Sequence, residues 1–146
     1  MPVMSVTRLR VQSVRYLPAF VRYSFHSIRQ LRRSPGFLGG MLATSPAWTF
    51  WTTTMWVDEA SMKRFRDTDW HQRAMPKLLH WCNEASLARW TQDTAELPSA
   101  AAMLERVQRG GRISKVRHPT SGQAAGQTAP DGLAPQPRLT IGPHTP

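Results

Sequence analysis

The chain has 146 residues, which is room for one domain with one core, and it carries a net charge of +10. Its single cysteine, Cys82, excludes an intrachain disulfide and a cysteine-based metal site, and it fits a cytoplasmic protein. No run approaches the roughly 18 apolar residues of a membrane span. Arginines interrupt the N-terminus where a signal peptide would have its apolar core.

The positive charge is concentrated at the N-terminus. Residues 1–35 contain seven arginines and no acidic residue. A basic surface of this kind attracts nucleic acid, anionic lipid or anionic ligands. The simpler interpretation is a solvated face without a partner, and the charge pattern alone leaves both open.

The first two elements are a strand and a helix. Residues 7–11 alternate between apolar and basic side chains, with Leu9 and Val11 on one face, which predicts a half-buried strand. Residues 17–33 follow a period of 3.6, and Pro18 stands in the first turn, where a helix tolerates proline. The helix should end at residues 34–36, Ser-Pro-Gly.

A hairpin follows the helix. Residues 37–43 and 48–57 read as two strands around a turn, and the second arm is rich in Trp, Thr and Phe. Both faces of that arm are apolar or semi-polar, so both should be covered.

The remaining elements are weaker. Asp58 is a good N-cap for a helix beginning at Glu59. Asp69 can cap a second helical segment, residues 70–81, which Pro76 should kink. Residues 84–92 read as a fourth strand, residues 98–110 as a short helix, and residues 112–117 as a weak fifth strand.

The order β-α-β-β-α-β predicts an α+β protein with the ferredoxin-like split βαβ fold, in which one antiparallel sheet carries helices on one face. A second copy of the sheet would cover the other face. The domain should span residues 1–120. Residues 121–146 hold five prolines, four glycines and few apolar side chains, so they predict a disordered tail.

Residues 51–62, Trp-Thr-Thr-Thr-Met-Trp-Val-Asp-Glu-Ala-Ser-Met, followed by Phe65, His71 and Met75, resemble the antibiotic-biosynthesis-monooxygenase-like group of dimeric α+β barrels, especially relatives of spheroidene monooxygenase. The resemblance implies a homodimer with a small-molecule pocket, and it makes His71 a pocket residue. The haem-degrading branch has a histidine ligand where this chain has Met75, so a haem cofactor is not supported.

His71 is the candidate catalytic residue because a neutral histidine acts as acid or base near pH 7. The alternative is an exposed or capping histidine. A pocket for a flat apolar or aromatic ligand between sheet and helices is predicted from six side chains, for which ordinary core or dimer-interface packing is the alternative. These are Trp48, Phe50, Thr52, Thr54, Trp56 and Trp70.

The other reactive side chains have simpler interpretations. His26 reads as a surface residue on a basic helix, and His80 stays unassigned. Cys82 reads as a core residue rather than a nucleophile paired with His80. With no close cluster of ligating side chains, no metal is expected.

Two classes of function follow. The first is a small-molecule-binding protein, with oxidation of an apolar or aromatic substrate as its enzymatic form. The second is a nucleic-acid or anionic-surface binder, although the RNA-binding motif Lys/Arg-Gly-Phe-Gly-Phe is absent. A non-catalytic dimer module is a third interpretation.

Overall fold

The structure, a computed structural model, describes residues 1–144. Within that range every helix is too short or too polar to cross a lipid bilayer. The strands and helices follow one another as β1 (Val3–Val11), α1 (Leu17–Arg32), β2 (Phe37–Ser45), β3 (Thr49–Trp56), α2 (Glu59–Arg66), α3 (Asp69–Trp81), β4 (Cys82–Thr91), α4 (Ala100–Gly110), β5 (Arg112–Ile113), α5 (Ser121–Ala124) and β6 (Gln136–Ile141).

The strands form one antiparallel sheet in the order β5-β4-β1-β3-β2-β6. The β-α-β-β-α-β core confirms the predicted ferredoxin-like α+β fold, and β5 and β6 extend the sheet at its two edges. Leu9 lies opposite Phe50, and Arg8 lies opposite Trp51. Because side chains alternate along a strand, this register puts Phe50 and Trp56 on one face and Trp51 on the other.

The first face, called here the helix face, carries α1, α2 and α3. Trp56 is fully buried there against Leu31 of α1 and Met62 of α2. The Asp58 carboxylate caps α2 as predicted, because its Oδ1 accepts a hydrogen bond of 2.7 Å from the backbone N–H of Ser61.

The start of α3 differs from the prediction. Thr68, not Asp69, occupies the N-cap position, and its hydroxyl donates to the Arg64 carbonyl instead of capping the helix. Asp69 itself has a positive φ of 50°. Pro76 is accommodated within a continuous α3, on the exposed side of the helix.

The opposite face, called here the second face, is covered by the same chain. Trp51 is completely buried there, packed against Met103 and Val107 of α4 and against Ala129. The prediction that both faces of β3 need cover is therefore correct. The sequence analysis predicted that a second copy of the sheet would cover the second face. In the structure, α4 and the residues that follow it cover this face instead.

Residues 117–144, the C-terminal segment, differ from the predicted disordered tail. The segment forms α5 and then β6, which pairs with β2, and Ile141 is buried on the helix face. Its anchoring is largely polar: the Gln123 side chain accepts from the Ala85 N–H and donates to the carbonyls of Ala85 and Ser114. A prediction of disorder from low apolar content does not take such side-chain hydrogen bonds to the backbone into account. Residues 145 and 146 of the predicted tail lie outside the described residues.

We expect Gln123→Ala to lower the free energy of unfolding by about 2–3 kcal/mol, because it leaves buried backbone groups of β4 without partners. Urea unfolding measures the change. Gln127→Ala, at an exposed position of the same segment, is the matched control and should shift stability by no more than about 0.5 kcal/mol. Equal effects of the two substitutions would show that the segment does not pack on β4.

Candidate functional site

The structure does not bring the predicted pocket residues into one place. Phe50 and Trp56 share the helix face but lie six residues apart on β3, which separates them by about 20 Å. Phe50 packs against Phe20 of α1 with ring centroids 4.8 Å apart. Trp56 packs between Phe37 and Phe65, 5.5 Å from each. The two aromatic side chains therefore belong to separate parts of the core.

The two predicted threonines also differ. The Thr54 hydroxyl is buried and accepts a hydrogen bond of 2.9 Å from the Trp56 indole N–H. The Thr54 oxygen thus accepts a hydrogen bond from a core side chain. Thr52 is half-buried on the helix face, between Phe50 and Thr54, and is the more accessible of the pair.

A concavity lies at the tip of the β2–β3 hairpin. This hairpin groove has a volume of about 430 Å³ and is lined by residues 44–50. Ala47 and Trp48 at the tip both have positive φ, 66° and 56°, which non-glycine residues adopt at a cost in energy. The Trp48 side chain is 53% exposed beside the groove. Of the predicted ligand-binding residues, Trp48 and Phe50 line this groove.

His71 lies at the other end of α1. Its backbone N–H donates to Gln30 Oε1 at 2.9 Å, and its ring lies 4.6 Å from that of Phe65. Nδ1 is 3.0 Å from the Arg66 carbonyl oxygen, which can only accept, so Nδ1 carries the proton. Burial is the main cause that lowers the pKa of His71, with the Arg66 hydrogen bond acting against it. His71 is therefore held neutral near pH 7, with the lone pair on Nε2.

A smaller cleft of about 160 Å³, the α2 cleft, adjoins this histidine through Phe65. Phe65 also separates His71 from Trp56, so the histidine does not reach the core tryptophan directly. The cleft combines three hydroxyl-bearing side chains, one guanidinium, one proline and one phenyl ring. Its lining consists of Ser34, Pro35, Ser61, Arg64, Phe65 and Thr68.

Trp70 is part of the α1–α3 contact. Its ring stacks on that of His26, with centroids 4.1 Å apart and planes 13° apart, and it meets Tyr23 edge-on at 5.5 Å. The Arg73 guanidinium lies 5.2 Å from the Trp70 ring. His26 thus packs against another helix, which the prediction of a surface histidine did not anticipate.

A charged cluster lies on the second face, and it was not predicted from the sequence. The alternation of residues 7–11 made Arg8 solvent-facing, but the structure buries Arg8 to 1% exposure. Its Nη1 donates to Glu84 Oε1 at 2.8 Å, and Thr120 donates to Glu84 Oε2 at the same distance. Arg10 Nη1 lies 4.0 Å from Glu84 Oε2. The sequence did contain one signal for this cluster: Glu84 is the only acidic residue of β4, and the paired strand β1 carries two arginines.

Cys82 lies in the helix-face core, as predicted. Burial raises the pKa of its thiol to about 12, which leaves almost no thiolate at neutral pH. Within residues 1–144 no three His, Cys, Asp or Glu side chains are placed to hold a metal ion.

The sheet and α1–α3 form an α+β fold that is similar to solved structures of antibiotic biosynthesis monooxygenases. Among solved structures, SnoaB, a cofactor-independent oxygenase from Streptomyces nogalater, matches with a TM-score of 0.53 and 19% identity over 67% of this chain and 98% of that chain. Rv0793 from Mycobacterium tuberculosis matches with a TM-score of 0.59 and 12% identity, over 66% of this chain and 100% of that one.

A putative antibiotic biosynthesis monooxygenase from Nitrosomonas europaea matches with a TM-score of 0.58 and 12% identity, over 66% of this chain and 94% of that one. No protein-family model and no curated protein matches the chain in sequence. At these identities the likeness shows the shared fold, and it leaves about a third of this chain outside the matched part.

We expect the stability of the protein to fall as the pH drops below about 6.5, the ordinary pKa of histidine, and His71 to account for part of the fall. Because its pKa is lowered in the folded chain, the unfolded chain binds the proton first as the pH falls. The neutral His71 side chain therefore makes its full contribution to the free energy of unfolding above pH 6.5. That contribution is lost as the pH falls towards the lowered pKa of the folded chain. Thermal midpoints of wild type and His71→Gln between pH 8 and pH 5 measure it.

The control for this comparison is His118→Gln, which removes an exposed histidine. Its midpoints should follow the wild-type curve, whereas those of His71→Gln should depend less on pH. Parallel curves for all three proteins would contradict a buried neutral His71.

Proposed function

We propose that the protein binds a small apolar or aromatic molecule in the hairpin groove. The observation that carries this proposal is the groove's volume of about 430 Å³, which falls within the range of ligand sites, whereas the α2 cleft of about 160 Å³ does not. Structures of the same fold include an oxygenase described as cofactor-independent, which supports a small-molecule ligand without a bound cofactor.

The groove suits a flat ligand. The exposed indole of Trp48 offers a face for stacking, and Phe50 provides an apolar floor. The backbone at the tip is held by the Thr49 hydroxyl, which donates to the Pro46 carbonyl at 3.0 Å. A preformed turn of this kind lowers the conformational entropy that binding would otherwise remove.

A catalytic function is a separate proposal, favoured by the state of His71. A neutral imidazole with its proton fixed on Nδ1 can take a proton through Nε2. In cofactor-free monooxygenation, such a base would deprotonate an electron-rich CH₂ group of the substrate. Reaction with O₂ would then convert CH₂ to C=O and release the second oxygen atom as water. To reach His71, this substrate would have to displace the Phe65 ring and widen the α2 cleft, which adjoins the histidine through that ring.

A homodimer and a cytoplasmic location stay predictions. Since the chain covers its own second face, a second copy would have to use another surface or displace α4 and the C-terminal segment. Sedimentation equilibrium decides between monomer and dimer. The alternative of an anionic-surface binder draws support from Arg22, Arg29 and Arg32, which are all exposed on α1.

We expect 2-naphthol to quench the tryptophan fluorescence of the wild-type protein saturably. Trp48→Ala should weaken its binding by about 5- to 10-fold, because stacking on one aromatic ring contributes about 1 kcal/mol. Calorimetric titration measures the affinity. Trp70→Phe, which alters an aromatic residue of the α1–α3 contact, is the control and should bind as the wild type does. Loss of binding in Trp70→Phe but not in Trp48→Ala would refute the hairpin groove.

The catalytic proposal has its own test. With anthrone, which carries such a CH₂ group, the wild-type protein should consume O₂ and form the carbonyl product. His71→Gln should abolish this turnover while 2-naphthol binding in the groove is retained. Unchanged O₂ consumption in His71→Gln would exclude the histidine as the base.

A further inference from the structure

The guanidinium of Arg8 has one edge satisfied and one edge free. Nη1 is bonded to Glu84. Nε and Nη2 are both buried, and neither has a hydrogen-bond partner among residues 1–144. These two atoms share one edge of the guanidinium plane and present parallel N–H groups, the arrangement that binds a carboxylate with two hydrogen bonds. Two buried N–H donors without an acceptor lower the stability of the folded chain, so their presence at this position needs a structural or functional explanation.

The group nearest to the free edge is a carboxylate from the C-terminal segment. Asp131 Oδ2 lies 3.4 Å from Arg8 Nη2, close enough for ionic attraction but without a hydrogen bond. The Asp131 side chain is 32% exposed, whereas the Arg8 side chain is 1% exposed, so Asp131 is the solvent-accessible member of this pair. Gly132, with a φ of 64°, follows directly, and Asp131 Oδ1 accepts from the Leu133 N–H at 3.1 Å. Asp131 thus stands on a surface turn and does not belong to the core.

The charge balance of the cluster identifies Asp131 as the replaceable member. Two guanidinium groups, Arg8 and Arg10, face two carboxylates, Glu84 and Asp131. Glu84 is 5% exposed and is held by both Arg8 and Thr120, so it is fixed. If Asp131 moves away, the cluster keeps one net positive charge beside the free edge of Arg8. That state matches a ligand with a single carboxylate.

We propose that Arg8 anchors a second ligand site, for a small carboxylate, on the second face of the sheet, and that Asp131 occupies its entrance when no ligand is bound. The ligand's carboxylate accepts from Arg8 Nε and Nη2 after the Asp131 side chain swings outward. Trp51, whose ring lies 5.7 Å from the Arg8 guanidinium, forms an apolar wall beside it. The site is independent of the hairpin groove, which is lined by residues of the hairpin tip alone.

The test titrates acetate and benzoate into the full-length protein and follows the arginine Nε–H signals by proton–nitrogen NMR. Asp131→Asn removes the competing charge and keeps the side-chain size. We expect benzoate to shift the Arg8 Nε–H signal in this variant with an affinity at least about 10-fold higher than in the wild type. Glu105→Gln, which makes the same change of charge at an exposed position on α4, should bind as the wild type does.

The anchor is tested in the Asp131→Asn background. Arg8→Lys keeps the charge but lacks the paired donors, so it should lose most of the gain in affinity. If this variant does not fold, the combined change Arg8→Met with Glu84→Gln removes both members of the buried ion pair and leaves a charge only on the partly exposed Arg10, and it should lose the binding altogether.

Three results would overturn the site. One is equal benzoate affinity in Asp131→Asn and Glu105→Gln. Another is binding that leaves the Arg8 Nε–H signal in place. The last is a nuclear Overhauser contact between that N–H and a long-lived water, which would identify the partner as a resident solvent molecule. Loss of 2-naphthol binding in Trp48→Ala has no bearing on these outcomes, so the two sites fail or succeed separately.

Discussion

Burial of β3 on both faces is the constraint on which the rest of the structure depends. The strand lies near the centre of a six-stranded sheet, with Trp56 fully buried on the helix face and Trp51 fully buried on the second face. Each indole would expose a large apolar surface if its side of the sheet were open, at a cost of several kcal/mol. The chain therefore needs two layers of cover, α1–α3 on one side and α4 with the C-terminal segment on the other.

The two covers differ in chemistry. The helix face is held by apolar and aromatic packing in two clusters of side chains. The second face combines an apolar cluster around Trp51 with the ion pair of Arg8 and Glu84. Replacing a buried ion pair by apolar side chains is often neutral or stabilising, so stability alone does not account for Arg8. The polar character of this face instead favours contact with a charged group, whether from the chain itself or from a ligand.

Sequence periodicity predicted the elements of the core because each has one dominant pattern. Helix α1 shows a 3.6-residue apolar stripe and β3 a run of strand-forming residues, and both were placed within a residue or two. The C-terminal segment was not predicted, because its order depends on hydrogen bonds such as those of Gln123, which leave no periodic signal. The burial of Arg8 was missed for a related reason: strand alternation shows which residues share a face but not whether that face is covered.

The predicted site failed as a single pocket for a geometric reason that bears on function. Residues that alternate along one strand share a face, but from Phe50 to Trp56 they span about 20 Å, more than a small ligand can bridge. The two concavities lie apart, one at the hairpin tip with Thr49 and Phe50 of β3 in its lining, and one beside α2 that no residue of β3 lines. A ligand in one of them contacts either Trp48 or the surroundings of His71, not both. The proposed binding and the proposed acid–base chemistry can thus be tested separately by single substitutions in this chain.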